Sequence, residues 1–266
     1  MRQLFTYEDR PIYDRDFMRA LRSVGIVDGD VLFIHADITS FGKKANIEGE
    51  QLLSALTGTI TESVGENGTI SMPTFTYSFC KGLPYDPAET PSSVGVLSEF
   101  FRKQPDVIRT RHPIFSAAVR GKKKDFLANV DDDSFDENSI FGRLRAAKAK
   151  LIFFGASLRS CTFLHHIEQI HGVSYRYMKT FSGSLVEGER VIEHSCTYYV
   201  LHLDMNIIVD TAKIEARLRA DGSLKEARVG AGSIMAVGAE ELFTLGMRML
   251  DADPYSFILK SPVGTV

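Results

Sequence analysis

The sequence has few of the features that mark secreted, membrane-spanning or disulfide-rich proteins. Its three cysteines are far apart and form no C-x-x-C pair, so neither a disulfide framework nor a cysteine-rich zinc site is predicted. No apolar run reaches the roughly 20 residues that a membrane-spanning helix needs. The N-terminal stretch MRQLFTYEDRPIYDRDF is charged throughout, which is atypical of a secretory signal. We therefore predict a cytoplasmic protein without a membrane partner.

A strong positive charge and the best-known catalytic motifs are also missing. The 266 residues have a formal net charge of -3, whereas surfaces that bind nucleic acid are usually markedly basic. We therefore expect no nucleic-acid partner. The chain contains no G-x-S-x-G, G-x-x-x-x-G-K-[ST] or G-x-G-x-x-G motif. Serine-hydrolase, P-loop and Rossmann-type interpretations therefore have no motif to support them.

What the sequence does contain is an alternation of strand and helix patterns. The apolar run at 31–38 predicts a strand, residues 49–65 have helical spacing, and residues 69–77 predict the next strand. Further strands are predicted at 114–121 and 150–156. A strand–helix–strand unit is typical of α/β proteins, so the chain is predicted to belong to that class.

The pattern changes at about residue 180. Residues 183–204 and 221–237 read as two β-hairpins, and residues 238–254 read as a helix that ends before a proline. We predict a single domain over residues 1–266 with an elaborated, hairpin-rich C-terminal part. A domain boundary near residue 180 is the alternative.

Histidines are concentrated just after the predicted strand at 150–156. The stretch SCTFLHHIEQIHG predicts a helix that Gly172 would end. His165 and Glu168 are three residues apart, so they are neighbours on one face of that helix. An imidazole beside a carboxylate is the arrangement of a general base, and ligands of α/β proteins gather beyond the carboxyl ends of strands. We predict His165 as the base and Glu168 as the residue that orients it.

Other interpretations of these residues remain open. A histidine near a carboxylate on an exposed helix is commonly a surface pair. H-x-x-E can also supply two metal ligands, to which His35 or His112 could add others, although no H-E-x-x-H motif is present. Cys161 is a conceivable nucleophile that we expect to pack instead. His166 and His171 are expected to be structural, and no metal is predicted.

Seven motifs occur in the order found in one known family. They are IHADITSFG, GENGTISMPTFTY, YDPAETPSSVGVLSEFFRK, IRTRHPIFSAAVRG, SIFGRL, KLIFFGA and CTFLHHIE, with HGVSYRYMKTF later. Over roughly residues 25–180 the chain resembles the aminoglycoside 3-N-acetyltransferases. The resemblance implies the antibiotic N-acetyltransferase fold, an α/β fold with a mixed sheet and flanking helices. This fold is unrelated to the GNAT fold.

The resemblance also implies an activity. Family members are acetyl-CoA-dependent N-acetyltransferases in which the histidine of H-x-x-E is the general base, and here that residue is His165, with Glu168 behind it. We expect direct transfer to an amino group of an amino sugar or aminoglycoside-like acceptor, which could be nucleotide-linked. Acetyl-CoA is the expected cosubstrate, and a homo-oligomer is compatible with the family. A catalytically silent CoA-binding relative is the alternative, and a metal-dependent hydrolase is a weaker one.

Binding residues follow from the resemblance as well. The cofactor candidates are polar or aromatic residues in the family's motifs, namely His35, Asp37, Thr39, Ser40, Phe41, Thr74, Thr110, His112 and Ser116. The candidates for binding the acceptor are Tyr85, Asp86, Tyr175 and Arg176.

Two positions depart from the family's pattern. Asp37 stands where aminoglycoside-modifying members usually have a serine, and a carboxylate is unfavourable beside phosphate, so Asp37 could cap the loop instead. Phe115, in HPIFS, replaces a histidine of the family motif. The acidic stretch at 131–137 is expected to be a solvated loop. These departures predict a biosynthetic amino sugar, and not an aminoglycoside drug, as the natural acceptor.

Overall fold

The computed structural model describes residues 1–260, in which strands and helices alternate. The strands are β1 (Gln3–Tyr7), β2 (Arg10–Tyr13), β3 (Val31–Ala36), β4 (Lys43–Lys44), β5 (Thr69–Pro73), β6 (Ile108–Arg109), β7 (Ala117–Gly121), β8 (Lys150–Phe154), β9 (Arg176–Glu187), β10 (Arg190–Leu201), β11 (Ile207–Val209), β12 (Lys225–Val229), β13 (Gly232–Gly238) and β14 (Ile258–Lys260). The helices are α1 (Asp14–Ser23), α2 (Gly49–Val64), α3 (Val96–Arg102), α4 (Lys124–Ala128), α5 (Ile140–Ala146), α6 (Phe163–His171), α7 (Ala212–Ala220) and α8 (Ala239–Ala252).

A seven-stranded mixed sheet organises the fold, in the order β12-β13-β8-β3-β5-β7-β6. The central strand β3 is parallel to both β5 and β8, and the remaining pairs are antiparallel. The carboxyl ends of β3, β5 and β8 therefore lie at the same edge of the sheet. The loop after β3 and the segment that leads from β8 into α6 begin at this edge.

Both faces of the sheet are covered, which explains why β3 reads as a continuous apolar run. Val31 and Phe33 contribute to one buried cluster together with residues of α5, α6 and α8. Leu32 and Ile34 contribute to a second cluster on the opposite face, with residues of α1, α2 and α3. The alternation of side chains along a strand separates the two cores, and α6 lies on the first of them.

The predicted elements are present, with different ends. The predicted strand at 69–77 ends at Pro73, and the one at 114–121 begins only at Ala117. The loop predicted after β3 contains a 3₁₀ turn, Ile38–Phe41. The sequence does not predict the N-terminal hairpin of β1 and β2, whose turn has Glu8 and Asp9 at φ 48° and 59°. Charged, short strands of this kind have no clear apolar alternation.

The two C-terminal hairpins are also present. Strands β9 and β10 pair in register over twelve residues each, around a turn at Gly188. Strands β12 and β13 form the second hairpin, and β13 joins the main sheet beside β8. Part of the C-terminal region therefore completes the same sheet as β3, while the single-domain organisation stays a prediction. Within residues 1–260, no helix has the length and apolarity needed to cross a membrane.

Candidate active site

Helix α6 carries the predicted dyad and is anchored on both sides. It begins at Phe163, after β8 and a short 3₁₀ turn, and Gly172 ends it in the left-handed conformation at φ 79°. Its apolar residues Phe163 and Ile167 are fully buried in the core beneath the sheet. The helix is therefore held with its first turn close to the carboxyl end of β8.

His165 and Glu168 contact each other as the helical spacing predicts. Nδ1 of His165 lies 2.7 Å from Oε2 of Glu168. The His165 side chain is 21% exposed, whereas the Glu168 side chain is completely buried. Because Nδ1 is engaged within the protein, Nε2 is the ring nitrogen that is left for a substrate.

Two residues from outside the helix complete the surroundings of the Glu168 carboxylate. The Tyr175 hydroxyl donates a 2.7 Å hydrogen bond to Oε1. Nε of Arg176 lies 2.9 Å from Oε2, in an ion pair whose N–H is not aligned as a hydrogen bond. The Arg176 side chain is only 2% exposed, and its Nη1 donates to the Tyr199 carbonyl oxygen at 3.1 Å. Thus β9 and β10 are tied to α6 at this point.

Burial and charge act on the dyad in different directions. Burial lowers the pKa of His165, the Arg176 charge lowers it further, and Glu168 acts in the opposite direction. Burial alone would raise the pKa of Glu168, but the hydrogen bond from His165 and the charges of His165 and Arg176 outweigh it, so the pKa is lowered. The arrangement is therefore a neutral imidazole beside an ionised carboxylate, which is the resting state of a general base.

The other histidines of the helix have structural surroundings. His166 is completely buried, its Nδ1 lies 2.6 Å from the Phe135 carbonyl oxygen, and its ring packs against Phe163 and Phe243. His171, at the last position of the helix, lies 3.3 Å from a carboxylate oxygen of Asp251. These positions agree with the structural role expected for both.

The loop after β3 is a tight turn capped by its own aspartate. Oδ1 of Asp37 accepts hydrogen bonds from the Thr39 amide at 3.1 Å and the Thr39 hydroxyl at 2.6 Å. The Ser40 hydroxyl donates to the Asp37 carbonyl oxygen at 2.9 Å. Asp37 and Thr39 are exposed, whereas the Phe41 ring is fully buried among core aromatic rings such as Phe154. The Phe41 carbonyl oxygen also accepts from the Ala231 amide at 3.2 Å, so this predicted cofactor residue presents no free surface to a ligand.

Gly155, at the end of β8, packs directly against this loop. It has φ 73°, and a Cβ atom at this position would lie 2.2 Å from the Asp37 carbonyl oxygen. Such an approach is open to glycine alone, so the turn after β3 and the exit from β8 are in backbone contact.

The other cofactor candidates from the middle of the chain form a buried polar cluster. Ser116 donates to the Thr74 carbonyl oxygen at 2.8 Å, and the Thr110 hydroxyl accepts from the Ala117 amide at 2.9 Å. Arg109, which is not among the predicted site residues, donates through Nε to the Thr74 and Ser116 hydroxyls at 3.1 and 3.0 Å. These hydroxyls therefore have protein partners already.

Two predicted cofactor histidines are buried. His112 accepts at Nδ1 from the Ile114 and Phe115 amides, which leaves its Nε2 to donate to the Ser134 hydroxyl at 3.1 Å. The ring of His35 stacks on Phe153, with centroids 5.6 Å apart. Burial lowers the pKa of each ring to about 4, so both are neutral near pH 7.

The acceptor candidates separate into two places. Tyr175 and Arg176 contact Glu168, as described above. Tyr85 is fully buried, and its hydroxyl donates to the Thr110 carbonyl oxygen at 3.2 Å. Asp86 accepts main-chain hydrogen bonds within its own turn, from the amides of residues 88 and 89. None of these four side chains is both exposed and unpaired.

The acidic stretch at 131–137 is less solvated than expected. Asp133 accepts from the Gln169 amide group at 2.7 Å and from the Thr197 hydroxyl at 2.9 Å, so it joins α6 to β10. Asp136 accepts from the Ser139 amide at 2.7 Å, and burial together with the neighbouring aspartates raises its pKa to about 6. These two half-buried carboxylates are therefore bonded within the protein, whereas the other acidic residues of the stretch, Asp131, Asp132 and Glu137, are exposed.

The described residues contain no arrangement that suits the two competing chemistries, a metal site and a cysteine nucleophile. Over residues 1–260, no three histidine, cysteine, aspartate or glutamate side chains are grouped so that they could hold a metal ion. Cys161 is buried, and that burial raises its pKa to about 12. A thiol of this kind is inert as a nucleophile near neutral pH.

Comparisons with known proteins agree with this fold. A family model described as Aminoglycoside 3-N-acetyltransferase matches residues 33–251. The chain is similar to aminoglycoside N(3)-acetyltransferase VII of Streptomyces paromomycinus, with 28% identity over 210 residues that cover 71% of each chain. It is also similar to the structure of AAC-IIIb in binary complex with CoASH, at a TM-score of 0.76 and 21% identity over 94% of this chain and 98% of that one. The structure of AAC-VIa bound to sisomicin gives a TM-score of 0.76 and 20% identity over 91% and 98% of the two chains.

The mixed sheet, its flanking helices and these matches define an α/β N-acetyltransferase. The chain belongs to the aminoglycoside 3-N-acetyltransferase family. The predicted family, fold and enzyme class are therefore confirmed. The predicted acetyl-CoA cosubstrate agrees with this membership and with the CoASH complex of a similar structure.

Proposed function

We propose that this protein transfers the acetyl group of acetyl-CoA to an amino group of an aminoglycoside or another amino sugar, with His165 as the general base. One observation carries the proposal. The part-exposed imidazole of His165 is bound through Nδ1 to a completely buried carboxylate at the carboxyl end of the sheet. Burying a carboxylate is costly unless its oxygens are bonded, so the pair is built into the fold rather than placed on its surface.

The chemistry of the dyad follows from its hydrogen bonds. Acetyl-CoA, when bound, supplies a thioester that an uncharged amine can attack. Nε2 of His165 accepts the proton that the attacking amine loses, and it returns this proton to the sulfur that leaves. While the ring holds the proton, Glu168 stabilises the imidazolium ion through Nδ1. The Tyr175 hydroxyl and Arg176 keep the carboxylate ionised and fixed in place.

The loop at 37–41 fits the pantetheine arm of acetyl-CoA better than its pyrophosphate. Its capped turn presents main-chain groups and the hydroxyl oxygens of Thr39 and Ser40 at the carboxyl edge of the sheet. The Asp37 carboxylate would repel the pyrophosphate, whereas it has no such effect on the uncharged pantetheine arm. We therefore assign this loop to the pantetheine arm, with Gly155 allowing the close approach of the two backbones. The buried cluster around Thr74 and Ser116 would support this edge from behind.

The acceptor is proposed from the family and from the surroundings of His165. AAC-VIa, which is similar in fold, has been crystallised with sisomicin, an aminoglycoside. In this chain Asp133 and Asp136 are bonded internally, and the fully buried ring of Phe135 lies 5.4 Å from the His165 ring, measured between centroids. Because these two carboxylates already have partners within the protein, we favour an amino sugar with one or two amines over a polycation as the acceptor. A nucleotide-linked amino sugar belongs to the same class.

Acetyl transfer to a panel of amines tests the proposal. Aminoglycosides, free amino sugars and nucleotide-linked amino sugars are incubated with acetyl-CoA, while thiol release and product mass are measured. His165→Asn should lower kcat/KM by about 10²–10⁴-fold, which is the usual contribution of positioned proton transfer. His171→Asn, at the far end of the same helix, is the matched control and should retain activity. Turnover that is unaffected by His165→Asn would exclude this base, and no transfer to any amine would leave a silent relative as the better interpretation.

A further inference from the structure

The polar contacts of His165 include one that the base mechanism does not need. Nη2 of Arg176 lies 2.9 Å from Nδ1 of His165, the same atom that lies 2.7 Å from Oε2 of Glu168. Arg176 was predicted from the family resemblance to bind the acceptor. Its guanidinium is buried and directed at the dyad, so it cannot serve a solvent-exposed acceptor directly.

Nδ1 cannot satisfy both neighbours at once. With a hydrogen on Nδ1, the ring donates to Glu168 and leaves Nε2 free to take a proton. Without that hydrogen, Nδ1 accepts from Arg176, and Nε2 carries the hydrogen instead. The imidazolium ion always has a hydrogen on Nδ1, so it faces the guanidinium as donor to donor and cation to cation. Arg176 therefore opposes protonation of the ring, while Glu168 favours it.

We propose that Arg176 is a positioning residue of the reaction: its buried guanidinium balances the Glu168 charge, so that His165 stays uncharged while its ring is held for proton transfer. The inference rests on the proposed role of His165 as base. Burial also disfavours the charged ring, but without the cation the attraction of a carboxylate 2.7 Å away would be opposed by no charge, and more of His165 would be imidazolium, a state that cannot accept a proton.

Besides burial, which disfavours the charged ring, the charges that act on His165 are those of Glu168 and Arg176. Phe135 contributes only its ring, at 5.4 Å between centroids. The phenol of Tyr198, whose ring packs against Phe135, has a pKa that burial raises to about 12, so it is neutral over the relevant range. The Tyr175 hydroxyl is bound to Glu168, and the Asp133 carboxylate is bound to Gln169 and Thr197.

The test compares the acid limb of the kcat/KM–pH profile with the NMR titration of the His165 ring. A charge within this distance moves a pKa by about 1 unit or more, so Arg176→Gln should move both to higher pH by about 1 unit. Arg176→Lys keeps the cation and should restore the wild-type position. Arg102→Gln is the matched control, since Arg102 pairs with Glu99 on α3 and should leave the His165 titration unchanged.

A second comparison tests the inference if the Arg176→Gln variant does not fold. Glu168→Gln should move the His165 titration to lower pH, and addition of Arg176→Met to it should move the titration back up. The inference is wrong if the His165 ring titrates at the same pH in Arg176→Gln as in the wild type. It is also wrong if the ring titrates at the same pH in the double variant as in Glu168→Gln. The NMR readout does not depend on turnover. Shifts as expected, in an enzyme that tolerates His165→Asn, would show that Arg176 acts on the charge of the ring but would overturn the proposed base, and with it the role of Arg176 in the reaction.

Discussion

Replacement of Glu168 by Gln should destabilise the whole protein as well as the reaction. The substitution keeps the size of the side chain but removes a charge that is fully buried against Arg176, whose own side chain is 2% exposed. Removing one partner of a buried ion pair costs about 3–5 kcal/mol, because the other charge stays buried without compensation. Two further bonds to the carboxylate, from His165 and Tyr175, weaken when the acceptor loses its charge.

The expected loss is large enough to measure by equilibrium unfolding in urea. The chain has no tryptophan, so tyrosine fluorescence and circular dichroism are the suitable signals. In a chain near this size each kcal/mol lowers Tm by about 2–4 °C, so a fall of about 10 °C is expected. Glu66→Gln, which changes an exposed glutamate after α2, is the control and should stay within about 0.5 kcal/mol of the wild type. If Glu168→Gln is as stable as Glu66→Gln, the carboxylate is not held as the contacts indicate.

Three further outcomes are expected. Burial lowers the pKa of His35 and His112 from 6.5 to about 4, so the unfolded chain binds more protons in that range and the unfolding free energy should fall as the pH decreases from 6.5 to 4. His35→Leu should make this fall less steep. An unchanged dependence of the unfolding free energy on pH would contradict the lowered pKa of His35. Gly155→Ala should weaken acetyl-CoA binding and cost about 1 kcal/mol or more of stability. Gly222→Ala, with φ 68° but no atom within 4 Å of the added Cβ, should keep the affinity. Acetyl-CoA at about 100 times its Kd should raise the free energy of unfolding by about 2.7 kcal/mol, and a melt that millimolar acetyl-CoA does not move would count against the proposed function.

The strands and helices that the sequence predicts are those with a clear pattern of apolar residues. β3 and β8 read as apolar runs because both faces of the sheet are covered, and α2 has regular helical spacing. The hairpin of β9 and β10 shows strand alternation around a glycine turn. The order of the main sheet was not predictable in the same way, because β13 pairs with β8 across some 80 residues of chain, and no local pattern encodes that contact.

The candidate site was predictable only where it is local. His165 and Glu168 lie one helical turn apart, so their spacing alone predicts the contact. Thr74 and Ser116 belong to motifs of the family, but a motif does not tell which way a side chain points. In the structure Arg109 donates hydrogen bonds to both hydroxyls and forms a buried cluster with them. Predicting this role of Arg109 would have required the course of three strands.

The position of Arg176 shows what separates the dyad from an ordinary surface pair, which was the competing interpretation of its sequence. Exposed ion pairs contribute about 0–1 kcal/mol and need no further partners. The Glu168 carboxylate is instead fully buried, and its partners come from α6, from the residue before β9 and from β9 itself. An arrangement of this kind is stable only while all three parts of the chain keep their relative positions. The fold therefore fixes the orientation of the His165 ring through the same contacts that keep Glu168 ionised, and a histidine on a solvated helix would have neither constraint.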